Sequence, residues 1–544
     1  MAPSTFLLSS VGLTLLTLGV YNVAKFLYRR STSPLHQLPG PANPSWVSGN
    51  LRDIFNADPL ALHEQWVEEF GPTLKYAGYL NAATLLTMDT KALGHILSRT
   101  DIYQKSEPMK YDLGRILGAG LLIVEDDQHK LQRKIMNPAF GPAQVRALTE
   151  IFVTKAIQLR DLWTSIIEKD AGTSEKTPEA VQQSRVDVMS GLGRMTLDVI
   201  GIAGFGYDFG ALADKENELS RAFSRMFTQE GMSILGMLQL FVPILRCIPT
   251  ARSRVVDSAR GTMNRIGQKL LADAKARFVL SEKDGVVQAE KSRDLLSLLV
   301  RANTSNNGQA LSDDDVLAQV PTFFIAGHET SSTAVTWALY QLALCPDVQT
   351  KLRAELRGVS TDTPDMDELN QLPYFDKVVR ETMRVHSPVT STFRVPVKDD
   401  FIPLSKPFVD RNGVQRNGIH IAKGNGVIIP ILSINRSKEL WGEDALEFKP
   451  DRWDNLPESV TSIPSVWAHQ LTFIAGPRAC IGYRFSLVEI KALLFTLVRA
   501  FEFEPAVPAS DITKKTTITQ RPILRSEPEK GGQMPLFIRL ARDD

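Results

Sequence analysis

The stretch FIAGPRACIG, residues 473–482, contains Cys480, one of three cysteines in a chain of 544 residues. It precedes Phe485, Val488, Leu493, Leu494 and Leu497, apolar residues that recur at near-helical spacing. Cys480 is therefore expected at or just before a helix N-terminus, where unpaired N–H groups and the positive end of the dipole stabilise an anion. Such placement lowers a thiol's pKa and favours thiolate. Gly476 and Gly482 let the backbone turn tightly and approach a flat ligand, and Arg478 can pair with an anionic group. A lone thiolate with no neighbouring cysteine or histidine is a poor zinc site. It is well suited to be the single axial ligand of haem iron. Cys345, before Pro346, and Cys247, before Ile248, read as ordinary buried thiols.

The bulk numbers narrow the class. Lys and Arg total 62 against 61 Asp and Glu, which argues against a nucleic-acid binder driven by phosphate contacts. The cysteines are too few and scattered for a disulfide framework, and their odd number fits a reducing compartment. Residues 6–24, FLLSSVGLTLLTLGVYNVA, carry no charge and are about long enough to cross a bilayer as a helix. Lys25, Arg29 and Arg30 follow at once, so the positive-inside rule puts the rest of the chain in the cytosol behind a single-pass anchor. The triplets at Asn303 and Asn435 would then go unglycosylated. Pro34, Pro39, Pro41 and Pro44 read as a stiff, extended spacer. The organisation expected is an anchor over 1–24, a basic flank and proline hinge over 25–49, and a catalytic domain over 50–544.

Within that body, residues 72–89 read as short strands around a turn, and helical patterns dominate from Lys91 to about Ala276. Residues from Ser281 to Asp294 read as a polar loop. Residues 311–345 read as one long apolar helix, with Ser312 and Asp315 as a capping pair, Pro321 bending it or freeing a carbonyl, and Pro346 ending it. Residues 418–433 read as a β-hairpin. The sum is mainly α with minor β.

Three further motifs carry chemistry. In AGHETSS, Ala326 and Thr330 are i,i+4 on one helix face with Phe323. Gly327 leaves room, and Glu329 and Thr330 offer a carboxyl and a hydroxyl for proton transfer. In ETMR, Glu381 and Arg384 are i,i+3 and suit an ion pair. In HKLQRK, His129 and Arg133 are basic groups four residues apart on a helix.

The pattern Phe473-x-x-Gly476-x-Arg478-x-Cys480-x-Gly482 resembles the haem-binding signature of cytochrome P450 monooxygenases at every fixed position. The resemblance runs from about Leu38 to Leu540 and has the flavour of microsomal, fungal members. It implies the P450 fold, one large α-rich domain with a minor β region, behind a single N-terminal transmembrane helix. It implies haem b with Cys480 as the thiolate ligand, Ala326 on a helix crossing the distal haem face, and Thr330 controlling protonation of the reacting oxygen. It adds Arg452, from FKPDRW, as third member of a buried triad with Glu381 and Arg384. It gives His129, which stands where the family commonly has Trp, together with Arg133, Arg394 and Arg478, to the haem propionates.

The activity implied is insertion of one oxygen atom from O2 into a lipophilic small molecule of terpenoid, sterol or polyaromatic type. Electrons would come from an NADPH-dependent P450 reductase at the endoplasmic reticulum membrane. Lys130, Lys134, Arg484 and Lys491 are expected to form its basic docking face. The pocket is expected from residues 105–122, 223–241, 323–330, 388–394 and 516–521. Two rival readings remain. One is a haem-thiolate isomerase or dehydratase that needs no O2, against which the Glu329-Thr330 pair weighs. The other is a non-enzymatic haem sensor or sterol carrier, which needs no proton relay or no axial cysteine.

Overall fold

The computed structural model of the protein describes residues 3–173, 183–213, 218, 221, 233–283, 294–304, 310–516 and 518–542. The helix Ala251–Lys283 takes in the first residues of the polar loop expected from Ser281, and most of the rest of that loop, part of the glycosylation triplet at Asn303 and much of the 223–241 pocket segment lie outside the described residues. The chain divides into two compact units, Met1–Gln104 with Ser391–Ser433, and Lys105–Thr390 with Ile434–Asp544. Residues 50–544, read from sequence as one catalytic domain, are distributed over both.

The first unit begins with α1, Pro3–Ser31, which continues past residue 24 and takes Lys25, Arg29 and Arg30 into its last turns. Leu13, Leu18, Val20, Tyr21, Val23, Leu27 and Tyr28 are exposed along it. The prolines that follow do not form a free spacer. Leu35 and Leu38 are fully buried, and the Lys75 amide donates to Pro39 O at 2.9 Å. Gly40 lies so close to this strand that a Cβ there would sit 1.9 Å from Lys75 O. Leucines between the prolines supplied apolar surface that the sheet could bury, and packing overrode stiffness.

The main sheet of this unit has the strand order Thr73–Ala77, Ala83–Thr87, Gly426–Ile429, Thr392–Pro396, Tyr103–Gln104. The expected turn over 72–89 is its first antiparallel pair. The expected hairpin over 418–433 is absent. Gln415–Ile421 folds back on Asp400–Val409, while Gly426–Ile429 enters the main sheet between Ala83–Thr87, parallel, and Thr392–Pro396, antiparallel. The strand GVII is buried at all four positions, so it needs partners on both edges and cover on both faces.

The second unit is helical. Its framework is α2 (Asp126–Met136), α3 (Pro142–Thr173), α4 (Val188–Phe205), α5 (Gln319–Leu344), α6 (Pro373–Val385) and α7 (Tyr483–Ala500). Gln183–Asp187, Pro535–Leu540 and Phe501–Pro505 form a three-stranded antiparallel sheet, and Ile512–Thr516 pairs with Gln520–Leu524 as a C-terminal hairpin. Among the described residues, α4 is long and apolar enough to cross a membrane, but two-thirds of it is buried inside the protein (67%). It is a core helix packed on α5.

α5 is apolar on nearly every side, as a central helix must be. The long helix expected over 311–345 is two helices, Asp313–Leu317 and α5, parted at Ala318. The Ser312–Asp315 capping box opens the first, with both reciprocal bonds made. Pro321 lies in the first turn of α5, where its missing N–H costs least.

Candidate active site

The Cys480 loop is closed by its own backbone. Short 3-10 turns at Leu471–Phe473 and Gly476–Arg478 fold it over, and the Cys480 amide donates to Phe473 O at 3.0 Å. Gly476 has φ +70°, a left-handed conformation that glycine adopts without a steric cost. Gly482 does not need its freedom for folding: its φ is −93°, and a Cβ there would meet only Phe140 at 3.6 Å. Ile474 holds φ 52°, which is strained for a β-branched residue. Gly482 is the N-cap of α7, without a side-chain cap, so the first-turn N–H groups remain available beside the sulfur.

At the Cys480 sulfur, burial works against the thiolate that the helix terminus favours. Burial pushes the Cys480 thiol up, and the Gly482 N–H and the charge of Arg133 oppose this without prevailing. Desolvation outweighs one hydrogen bond and a nearby charge. A metal ion ligated at sulfur would favour the ionised form. Among the described residues no group of three or more His, Cys, Asp or Glu could hold a metal ion. A metal held by Cys480 must thus bring its own remaining ligands, as a porphyrin does.

α2 supplies a basic cluster above this loop. Arg133 Nη1 donates to Ala479 O at 2.5 Å. Arg478 donates to Val124 O at 2.7 Å and pairs with Glu125. Lys105 Nζ reaches the same carboxylate at 3.2 Å. His129 is buried and pushed down to about 3, first by burial and then by Arg478, Lys105 and Arg133. It is neutral and has one N–H to offer. Burial also lowers Arg133 and Arg478. Lys105, Arg133 and Arg478, buried or half-buried, face Glu125 with Asp126 at the surface beyond it, and the remaining positive charge is one that an anionic ligand would satisfy. These donors and the single sulfur fit a haem with its propionates. Sequence reading missed Lys105 and Glu125 in this cluster. Arg394 lies in the other unit, on the Thr392–Pro396 strand, where Nη1 donates to Thr392 Oγ1 and Phe393 O, both at 2.8 Å.

On α5, Ala326 is exposed and Gly327 and Thr330 are half-buried, in the middle of an otherwise buried helix. The Thr330 hydroxyl donates to Ala326 O at 2.5 Å, the i−4 carbonyl. Two neighbours depart from expectation. Gly327 leaves room for a helix rather than for a small ligand: a Cβ there would lie 2.8 Å from Ile200 Cδ1 on α4. Phe323 is buried, edge-on to Phe140 at 5.6 Å and tilted against Phe205 at 6.2 Å. Glu329 is buried and paired with Arg521 of the C-terminal hairpin. Burial raises its carboxyl, and Arg521 and Thr519 offset this only in part.

Glu381, Arg384 and Arg452 form one buried cluster. Arg384 grips Glu381 with Nε to Oε2 at 2.9 Å and Nη2 to Oε1 at 2.8 Å. Arg452 Nε reaches Oε1 at 3.2 Å. The Lys449 amide and Trp453 Nε1 also donate, at 2.9 and 3.1 Å. Arg384 places its other donors on the carbonyls of Asn435, Ala445 and Glu447. Next to the cluster, the Asn435 side chain holds the Thr472 hydroxyl and the Leu471 amide at the start of the cysteine loop. The triad thus fixes the strand of chain that presents Cys480.

Other expectations are corrected. Lys491 is buried, with Nζ on Asp376 at 3.0 Å and Asn370 at 2.9 Å, so it cannot join a docking face. It sits on the side of α7 that packs inward, where a lysine needs a carboxylate. Lys130, Lys134 and Arg484 are exposed. Cys247 is exposed, because the Pro243–Cys247 turn lies at the surface, and Cys345 is half-buried at the end of α5. Sequence reading also missed Glu489 on α7, which is fully buried beside Ser331 and pushed up to about 8 by that burial. An acid inside the apolar run LVEIKALL was the available signal.

Comparison with known proteins agrees with this site. The family profile described as Cytochrome P450 matches residues 39–526. Cytochrome P450 monooxygenase 205 of Postia placenta is 52% identical over 544 residues, covering 98% of this chain and 98% of the relative. Cytochrome P450 monooxygenase 128 of the same fungus is 50% identical, covering 97% of each. Cytochrome P450 monooxygenase claQ of Ampulloclitocybe clavipes is 35% identical, covering 94% of each. A cysteine closed into a backbone loop, a buried basic cluster and a sequence alike over its whole length converge: the chain belongs to the cytochrome P450 family and is an oxidoreductase that binds haem through a cysteine thiolate.

Proposed function

We propose that the protein inserts one oxygen atom from O2 into a lipophilic small molecule of terpenoid, sterol or polyaromatic type, with Cys480 as the haem ligand. The observation that carries this assignment is the Cys480 loop. Its sulfur is the one thiol of the three that lies beside both a free helix terminus and a buried surplus of positive charge. Bound haem supplies the activation of dioxygen. His129, Arg133 and Arg478 would hold its carboxylates, and the resemblance alone gives Arg394 the same role. Phe473 packs at the loop beside Trp467, with ring centres 5.5 Å apart. Glu381, Arg384 and Arg452 keep the loop in place. Ala326 leaves the distal side open, Thr330 carries a proton at its hydroxyl, and Glu329 replenishes it.

Electrons come from an NADPH-dependent flavoprotein reductase that docks on Lys130, Lys134 and Arg484. Reversing Lys134 and Arg484 is expected to slow reduction while substrate binding is unchanged. Unaltered reduction would remove this face from docking. The seven large apolar side chains exposed along α1, followed by its basic end, support an anchor in the endoplasmic reticulum membrane with the rest of the chain cytosolic.

The deciding experiment uses membranes carrying the protein and the reductase. Incubated with a panel of terpenoids, sterols and polyaromatics, they are expected to give NADPH- and O2-dependent products heavier by one oxygen, and Cys480→Ser to give none. Product formed without O2, or by the Cys480→Ser variant, overturns the reading.

A further inference from the structure

Glu329, Thr333 and Trp337 stand at i, i+4 and i+8, on one face of α5. Each bonds the same short run of the C-terminal hairpin. Thr333 Oγ1 donates to Thr519 Oγ1 at 3.3 Å, Trp337 Nε1 donates to Gln520 O at 2.9 Å, and Arg521 Nη2 donates to Glu329 Oε1. The Gln520 amide donates to Pro388 O at 2.8 Å, which ties the run to the chain leaving α6. The hairpin is thus strapped to the helix over just more than two turns, and Arg521 lies at the end nearest Thr330.

The two partners differ in access. The Glu329 side chain is 4% exposed and the Arg521 side chain 29%. The carboxylate is sealed inside, and the guanidinium reaches solvent. Glu329 Oε2 and Arg521 Nε complete no hydrogen bond, so apart from this contact only the Thr519 hydroxyl favours the charged form of the carboxylate, and the pair is incompletely satisfied. Consecutive helical residues leave the axis about 100° apart. Held by Arg521, the carboxylate therefore points off the face that carries Thr330. Other titratable groups on the packed elements are accounted for. His328 is kept neutral by burial and by Arg521. Glu489 of α7 faces Ser331, Lys514 lies over the Trp337 ring, Asp198 of α4 holds the Ala211 and Leu212 amides, and Arg194 is exposed.

We infer that Arg521 is the positioning residue for Glu329: it holds the carboxylate ionised and turned onto the hairpin, and must release it before Glu329 passes a proton toward Thr330. The proton comes from solvent to the freed carboxylate and leaves to the Thr330 hydroxyl, Arg521 stays a guanidinium throughout, and no electrons move. The inference rests on the relay reading above, and its test separates the two.

The test is infrared spectroscopy of the resting haem-loaded protein at neutral pH. The wild-type minus Glu329→Gln difference is expected to show a carboxylate band and no protonated carboxyl band. Arg521→Met is expected to gain a carboxyl band that is lost again in the Arg521→Met/Glu329→Gln double variant, and Arg521→Lys to restore the wild-type spectrum. With reductase, NADPH and testosterone as probe, peroxide released per NADPH is expected to rise at least about threefold in Arg521→Met and to return with Arg521→Lys. A carboxyl band in the first difference overturns the inference even if Arg521→Met does not fold. So does an Arg521→Met spectrum like the wild type, or a band that persists in the double variant. Peroxide release unaltered in Thr330→Ala, with the spectra as expected, would instead sink the relay reading and leave the Arg521–Glu329 pairing intact.

Discussion

Two buried glutamates, each facing arginine, differ in how completely they are satisfied. Glu381 receives both forks of Arg384, Arg452, a tryptophan N–H and a backbone amide, and neither it nor Arg384 has any exposed surface. Glu329 receives Arg521 at one oxygen, and its other oxygen completes no hydrogen bond. A saturated buried network specifies one geometry and resists change. An unsaturated one keeps an alternative open. The first suits the support proposed for the Cys480 loop and the second suits the proton transfer proposed for Glu329, and the contrast is visible without reference to either role.

The sharpest way to break this contrast is to cut the saturated network. Glu381→Ala leaves the wholly buried Arg384 with no carboxylate, while Arg452 keeps Asp444, and is expected to cost about 3–5 kcal/mol. Urea denaturation and the yield of haem-loaded protein measure it. A loss below about 1 kcal/mol would show that the network is not the support inferred for it.

Glu489 sharpens the comparison as a third case, a buried acid with no cation. Both its oxygens lack hydrogen-bond partners by distance and angle, though the Ser331 hydroxyl still favours its charged form. Burial raises its carboxyl to about 8, so between about 4.5 and 8 the folded state holds a proton that the unfolded state has lost. The wild type is therefore expected to lose stability as pH rises through that window, by up to about 1.4 kcal/mol per pH unit. Glu489→Gln should flatten this dependence, as melting curves at pH 5 to 8 would show, and parallel curves for the two proteins would place the carboxyl in a solvated setting.

Gly327 tests whether the open face of α5 is as narrow as the structure makes it. Gly327→Ala drives a methyl toward Ile200 and is expected to cost about 1–3 kcal/mol, partly recovered by Ile200→Val. Retained stability with altered product profile would return Gly327 to the pocket, where sequence reading had put it.

That misplacement shows what the sequence could carry. Spacing within one segment was enough for the capping box at Ser312, for the Cys480 loop ahead of α7 and, with the family resemblance, for the Glu381 triad. Each depends on residues close in the chain or on a pattern of fixed offsets. Individual pairings between distant residues were not legible, even where both segments were expected at the pocket. Arg521 meets Glu329 across 192 residues, Ile200 meets Gly327 across two helices, and Gly426–Ile429 takes its neighbours from both ends of its unit. Lys491 looked like a surface charge because the inward side of α7 is defined by Asp376 and Asn370, which lie on other helices. The prolines of residues 34–44 looked like a spacer because stiffness is local, whereas burial of Leu35 and Leu38 is not.

The smallest expected effect on stability falls on the most consequential residue. Glu329→Gln keeps a hydrogen-bond acceptor for Arg521 and removes one charge from a pair whose cation already reaches solvent. The stranded guanidinium can rehydrate, so the cost is expected below about 1 kcal/mol. Its functional cost is of another order. An amide cannot take up and pass on a proton, and loss of a positioned acid commonly slows the step by about 10²-fold or more. Oxygenation of whichever panel compound the wild type accepts should fall by that factor, with melting temperature and haem content nearly unmoved. If the melting temperature drops as far as in Glu381→Ala while oxygenation per folded molecule is kept, Glu329 is a second structural glutamate. The unsatisfied oxygen would then be a tolerated defect, and the difference between the two clusters would be one of packing alone.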